Sequence, residues 1–167
     1  ATKDKEKSFI QDELLAISKN NNDYIGGNIN GSITMIEFID YRCGYCRKSH
    51  AEVQRLVDNN PEIKFIVKEF PILGDQSLLA AKASIAILIH QGKSAYEAFT
   101  EKLLKYNGVL DFNSISNLLE TVGANPPQLK PLIESKKVHE IINNNYLFAT
   151  NLKISGTPTF IIGTEII

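Results

Sequence analysis

The spacing of apolar positions changes several times along the chain, and each change predicts an element. In SFIQDELLAISKN, residues 8–20, Phe9, Ile10, Leu14 and Ile17 recur at helical spacing behind a Ser8/Gln11 capping pattern, which predicts a short amphipathic helix. The next stretch, NNNDYIGGNINGS, is polar and glycine-rich and reads as a linker; Gly26, Gly27 and Gly31 do not make a phosphate-binding fingerprint and read as turn residues. In SITMIEFIDY the apolar positions Ile33, Met35, Ile36, Phe38 and Ile39 are nearly continuous, as in a central strand covered on both faces. CRKSHAEVQRLVDNN returns to helical spacing with Cys46, Val53, Leu56 and Val57 and stops before Pro61. EIKFIVKEF, residues 62–70, is a second buried strand, so the segment predicts a strand, helix, parallel strand unit.

From 76 to about 136 the pattern is helical throughout. QSLLAAKASIAILIHQ is apolar almost all round, which requires burial, and ends at Gly92. SAYEAFTEKLLK opens on a Ser94/Glu97 capping box, FNSISNLLETVG stops at Gly123, and NPPQLKPLIES is a short proline-punctuated piece. KKVHEIINNNYLFATNL carries Val138, Ile141, Ile142, Leu147 and Phe148 as a longer helix. KISGTPTFIIGTEII then reads as a turn, a strand through Thr159 to Ile162 and the start of a hairpin partner after Gly163. The expected organisation is an N-terminal helix (1–22), a first α/β part (23–75), a helical block (76–135) and a second α/β part (136–167).

Composition narrows the function classes. A chain of 167 residues with 43% apolar and 22% charged side chains can bury one core without a disulfide framework. A net charge of −1 with no Lys/Arg block gives no electrostatic grip on nucleic acid. The longest apolar run near the middle, ASIAILI, falls far short of the ~20 residues that span a bilayer, so a soluble protein is expected. The chain opens at ATKDKEK rather than at Met, which fits a processed or cut N-terminus.

Both cysteines lie in RCGYCR, residues 42–47. A disulfide closing so small a loop would stabilise by roughly 2 kcal/mol, against nearly 5 for a loop of about a hundred residues, so the pair is better explained by chemistry than by stability. It sits where a buried strand turns into a helix. There a sulfur faces unpaired N–H groups and the positive end of the helix dipole, which favour thiolate, and Arg42, Arg47 and Lys48 add positive charge. Cys43 is therefore the candidate nucleophile, and Cys46, one turn further in, the resolving thiol. Two alternatives are a pair of buried structural cysteines and a closed zinc site. Two sulfurs leave zinc short of ligands, and His50, His90 and His139 are not at ligand spacing. No metal centre and no cofactor are expected. His50, two turns down the helix, reads as a surface or packing residue.

Buried strand, FIDYRCGYC, helix, parallel strand and a late GTPTF turn together resemble the thioredoxin fold, and the helical block resembles the insertion of its DsbA-type branch. DYRCGYC and KEFPILG are most similar to the ScsC-like (suppressor of copper sensitivity) and Com1-like bacterial proteins. The resemblance implies an α/β thioredoxin fold with an inserted helical domain, whose final strand and helix lie beyond Ile167 or come from elsewhere; the sheet then has a bare edge and an uncovered face. It implies a cis bond at Thr157–Pro158, facing the cysteines and leaving the Thr157 backbone to pair with an extended substrate, with Gly44 and Tyr45 also at the substrate site. An ordinary trans proline at a strand start is the alternative.

Glu37 lies mid-strand, six residues before Cys43, where a carboxylate is expensive to bury unless paired or neutral. That cost suggests a use, taking the proton of Cys46, and the DsbA family carries an acid at the matching position; Lys68, on the neighbouring predicted strand, is the candidate partner of Glu37, and the alternative is that either side chain simply reaches solvent. Gly44–Tyr45 with Thr157 resembles DsbC-type isomerases more than the Cys-Pro-His-Cys and valine of the oxidase type. The function expected is a thiol-disulfide oxidoreductase leaning towards protein disulfide isomerisation, periplasmic with its signal peptide removed. Its partners would be unfolded or misoxidised proteins and a membrane or periplasmic redox partner. Homo-oligomerisation through the N-terminal helix stands beside that helix folding back on its own domain. A dithiol oxidase and a Cu(I)-binding, copper-tolerance protein are the rival functions.

Overall fold

The computed structural model of the chain describes residues 2–20 and 22–167. The order of elements is α1 (Thr2–Asn20), β1 (Tyr24–Gly27), β2 (Ile33–Ile39), α2 (Gly44–Asn59), β3 (Ile63–Glu69), α3 (Asp75–Gln91), α4 (Lys93–Lys105), α5 (Phe112–Thr121), α6 (Pro126–Ile133), α7 (Lys136–Asn151), β4 (Thr159–Ile162) and β5 (Glu165–Ile166). The strands form one sheet in the order β1-β3-β2-β4-β5. Only β2 and β3 are parallel, in the register Glu37↔Val67, while β1, β4 and β5 add antiparallel. The α/β architecture and the parallel unit across the cysteines agree with the sequence reading.

The two faces of the sheet follow from strand parity. Met35 and Ile39 of β2 and Phe65 and Val67 of β3 point to one face, where they pack with Val53 and Val57 of α2 and with the helical block. Ile36, Phe38, Ile66 and Phe70 point to the other face, against Ile10 and Ile17 of α1 and Phe148, Ala149 and Leu152 of α7.

Four expectations are corrected. The first helix starts at Thr2, six residues before the Ser8 capping pattern. Its apolar stripe does fold back on the sheet, with Ile10 0% and Ile17 1% exposed, so the face expected to be uncovered is roofed by α1 beside α7. The glycine-rich linker contains an edge strand, β1, whose pairing with β3 cannot be read locally; Gly27 ends it at φ 62, where a Cβ would meet the Ile63 carbonyl oxygen at 2.6 Å. Ser94 caps nothing, because the α3–α4 turn is made by Gly92 at φ 91, and the observed capping box is Asp111/Ser114 on α5.

Candidate active site

Cys43 ends the strand-to-loop passage after β2 and is the N-cap of α2, with φ −71° and ψ 121°. Its Sγ accepts the Cys46 backbone N–H at 3.4 Å and donates to the Thr157 carbonyl at 3.2 Å. Burial pushes the thiol up, but the Thr157 side chain and the N–H groups of Cys46 and Tyr45 outweigh it and bring the pKa below the ordinary cysteine value. Cys46, fully buried one turn further in, is raised far above the ordinary value because burial penalises its thiolate and the Cys43 sulfur repels it. Both are free thiols. The dyad thus has one sulfur prepared to ionise and one held protonated.

The expected role of one of the nearby cations, Arg47, is not what the geometry gives. Arg47 sends its guanidinium to main-chain carbonyls, those of Tyr41 at 3.1 Å, Leu103 at 3.2 Å and Tyr106, and to Asn107 Oδ1 at 3.1 Å. It fastens α2 to the end of α4 rather than serving the thiolate. Asp40, which the sequence reading passed over, organises the loop from the other side. Its Oδ1 accepts the Arg42 N–H and the Ser77 hydroxyl, each at 2.8 Å, and its Oδ2 accepts the N–H groups of Ile72 at 2.8 Å and Leu73 at 3.1 Å. A lone acid closing an apolar strand, as in FIDY, was the available signal.

Thr157–Pro158 is a cis peptide bond, and the Thr157 carbonyl touches Cys43. Gly44 and Tyr45 flank Cys43 on the surface, with Tyr45 74% exposed.

Glu37 does not reach solvent at a strand end. It is 4% exposed, and burial, reinforced by the charge of Glu69, pushes its carboxyl up to about 8. Among the described residues no protein group hydrogen-bonds this carboxyl, which faces a cavity of about 600 Å³ between α2 and α4. His50 lines the same cavity. Lys68 is not its partner. In the β2–β3 register Lys68 stands beside Phe38, on the opposite face from Glu37, where its ammonium binds Glu13 at 2.5 Å and Asp23 at 2.8 Å under α1. A neighbouring strand is a necessary condition for contact between two side chains, and matching parity is the second, which the strand reading alone had not applied.

Glu69, also unforeseen, closes β3 on the same face as Glu37 and is wholly buried. Its Oε2 accepts the Tyr96 hydroxyl at 2.5 Å, Tyr96 lies 3.4 Å from the Tyr41 hydroxyl, and Oε1 has no partner. Burial pushes its pKa up to about 7, against the pull of the two tyrosines. Among the described residues no three His, Cys, Asp or Glu side chains are grouped to hold a metal ion, and no helix is long and apolar enough to cross a membrane.

This geometry has relatives. A thioredoxin family model matches residues 19–167. A Rickettsia typhi protein described as a protein-disulfide oxidoreductase is 29% identical over 85% of this chain, and the chain spans 55% of that relative's length. The structure of the thiol-disulfide exchange protein α-DsbA2 from Wolbachia pipientis superposes with a TM-score of 0.86 at 30% identity, covering 99% of this chain and 88% of that one. The catalytic domain of Proteus mirabilis ScsC gives 0.83 over 96% of this chain and 88% of that one, and at 21% identity it shows the shared fold. The chain belongs to the thioredoxin family and, within it, to the DsbA-like thioredoxin-fold oxidoreductases.

Proposed function

We propose that the chain exchanges disulfides with unfolded or misoxidised proteins through Cys43 and Cys46, leaning towards isomerisation, in an oxidising compartment such as the bacterial periplasm. The observation that carries this reading is the placement of Cys43 at the N-cap of α2, its sulfur between the Cys46 N–H and the Thr157 carbonyl, with Cys46 buried one turn further in. The Cys43 thiolate attacks one sulfur of a substrate disulfide, the substrate S–S bond breaks, and the second substrate sulfur leaves as thiolate. In isomerisation another substrate thiolate then attacks and frees Cys43. In net exchange Cys46 gives its proton to the Glu37 carboxylate and its sulfur displaces the substrate from Cys43. Thr157, whose carbonyl meets Cys43, borders the place of the substrate main chain. The exposed Tyr45, Ile72 and Leu73 offer an unfolded segment apolar contact.

The isomerase lean rests on Gly44–Tyr45 and Thr157 in place of the oxidase-type residues, and it is tested by reactivation of a scrambled-disulfide substrate with Cys43→Ser as control. Recovery of substrate activity that disappears in the control is expected. Oxidation of a reduced substrate without reactivation of the scrambled one would instead assign a dithiol oxidase. A Cu(I) role would need Cys46 as a thiolate, which its burial opposes, and Cu(I) retained against a competing chelator by a chain without exchange activity would assign it.

A further inference from the structure

Resolution by Cys46 leaves Glu37 holding a proton that must reach solvent, and it needs Glu37 as carboxylate before each turnover. Two structural facts bear on both needs. First, Glu37 and Glu69 share a face of the sheet on adjacent parallel strands. Glu37 is paired with Val67, and Glu69 is the next residue of β3 on that side, with only apolar positions of the sheet between them. On its other side Glu37 pairs with Phe160 of β4. Second, among the described residues the Glu37 carboxyl has no hydrogen-bond partner and it lines the cavity, whereas Glu69 is held by Tyr96 and left with one bare oxygen.

We propose that Glu69 is a positioning residue for resolution at Cys46: its charge governs when Glu37 is free to accept the Cys46 proton, and water in the cavity between α2 and α4 carries that proton away. The inference rests on the proposed exchange activity. The other titratable groups around the cavity are Tyr24 of β1, Tyr41 of the loop between β2 and α2, His50, Arg55 and Asp58 of α2, and Tyr96, Glu97, Glu101 and Lys105 of α4. Glu97 is engaged by the Tyr24 hydroxyl; the charge that acts on Glu37 is that of Glu69, which stands outside the cavity lining, while Asp23 and Asp40 act on Glu69. Glu37 and Glu69 lie on one face of adjacent strands and the charge of Glu69 raises the Glu37 pKa, so the two protons leave in coupled steps and ionisation of Glu69 delays that of Glu37. In the step itself, the Cys46 S–H proton passes to the Glu37 carboxylate and the Cys46 sulfur forms the bond to Cys43 Sγ. The bond from Cys43 to the substrate sulfur breaks, and that sulfur departs as thiolate.

The test uses the reduced chain and a small aromatic disulfide whose thiolate absorbs visible light, followed by rapid mixing. The first phase reports Cys43 attack and the second reports Cys46 resolution. In the unaltered chain the second phase should accelerate with pH up to about 8, as Glu37 ionises. Glu69→Gln removes the neighbouring charge and keeps an acceptor for Tyr96. The second phase should then become faster at pH 7 by roughly threefold, with its midpoint moved to lower pH, and reach a lower plateau at high pH because a more acidic Glu37 is a weaker base. The first phase should not change. In a Glu37→Gln background, Glu69→Gln should have no effect on the second phase. An unmoved midpoint, or uniform slowing at every pH, overturns the proposal. Carboxyl carbon NMR of the unaltered chain tests it without substitution: coupled two-step titrations of Glu37 and Glu69 support it and two independent single-step curves overturn it. Absence of both phases in the unaltered chain would instead count against the exchange activity itself.

Discussion

At Cys43 three weak effects converge on one atom. The N-cap position gives the sulfur the N–H of Cys46, the first turn adds that of Tyr45, and the Thr157 side chain lowers the pKa further, while the Thr157 carbonyl, from a segment 114 residues away in the chain, accepts from the thiol. Burial works against them, so removing one donor should be measurable. Thr157→Val keeps the shape and β-branching of the side chain and removes the hydroxyl. The Cys43 pKa should move up towards the ordinary thiol value, read by thiolate absorbance in the ultraviolet, and attack on a small disulfide below that pKa should slow. A titration identical to that of the parent would show that the backbone N–H groups suffice. The roles of Cys43 and Cys46 were legible because cap chemistry is local. Glu37 was legible as an anomaly, an acid in an apolar run. Asp40 and Glu69 carry the same anomaly at the ends of the two central strands and were passed over, because nothing local distinguishes a buried acid at a strand end from a solvated one.

At the scale of elements, Lys68 shows what parity does. One residue of register separates it from the face of Glu37, and on its own face it becomes the anchor of α1. The Lys68 side chain is 2% exposed, that of Asp23 6% and that of Glu13 22%, so the cluster is largely shielded from water. Lys68→Met strands two carboxylates, and breaking a buried pair in this way costs about 3 kcal/mol or more. Urea unfolding should show that loss, and Glu13→Gln with Asp23→Asn added to Lys68→Met should recover most of it. If Lys68→Met alone is neutral, the ion pairs contribute little and the apolar stripe of α1 holds the helix unaided. The amphipathic stripe of α1 could be read from the sequence, but what it packs on could not, since a stripe that covers its own sheet and one that meets a second chain have the same spacing. The edge strand β1 escaped for a related reason: four residues containing two glycines have no pattern of their own, and β3 supplies all the pairing.

Across the whole molecule the two faces of the sheet are built on opposite electrostatics. Under α1 a buried lysine is neutralised by two carboxylates, and under α2 and α4 two carboxylic acids share a face without a cation between them. Both acids bind their protons more tightly in the folded chain than in the unfolded one, Glu37 up to about 8 and Glu69 up to about 7. Between about pH 4.5, the ordinary value of a glutamate, and pH 8, the unfolded chain therefore releases protons that the folded chain retains, and rising pH favours unfolding. The loss by pH 8 should be several kcal/mol, with about 8 kcal/mol the upper limit set by the two raised values. Urea titrations at pH 5, 6.5 and 8 should give falling stability, and Glu37→Gln should flatten the slope, the more so when combined with Glu69→Gln. A flat or rising profile in the unaltered chain would mean that the cavity hydrates Glu37 well enough to ionise it at ordinary pH, and that Glu37 is not poised to exchange protons near neutrality. If the slope is found, the face that carries the proposed chemistry is less stable at neutral pH because it keeps its acids unpaired, the condition under which Glu37 can take a proton from Cys46 and pass it on.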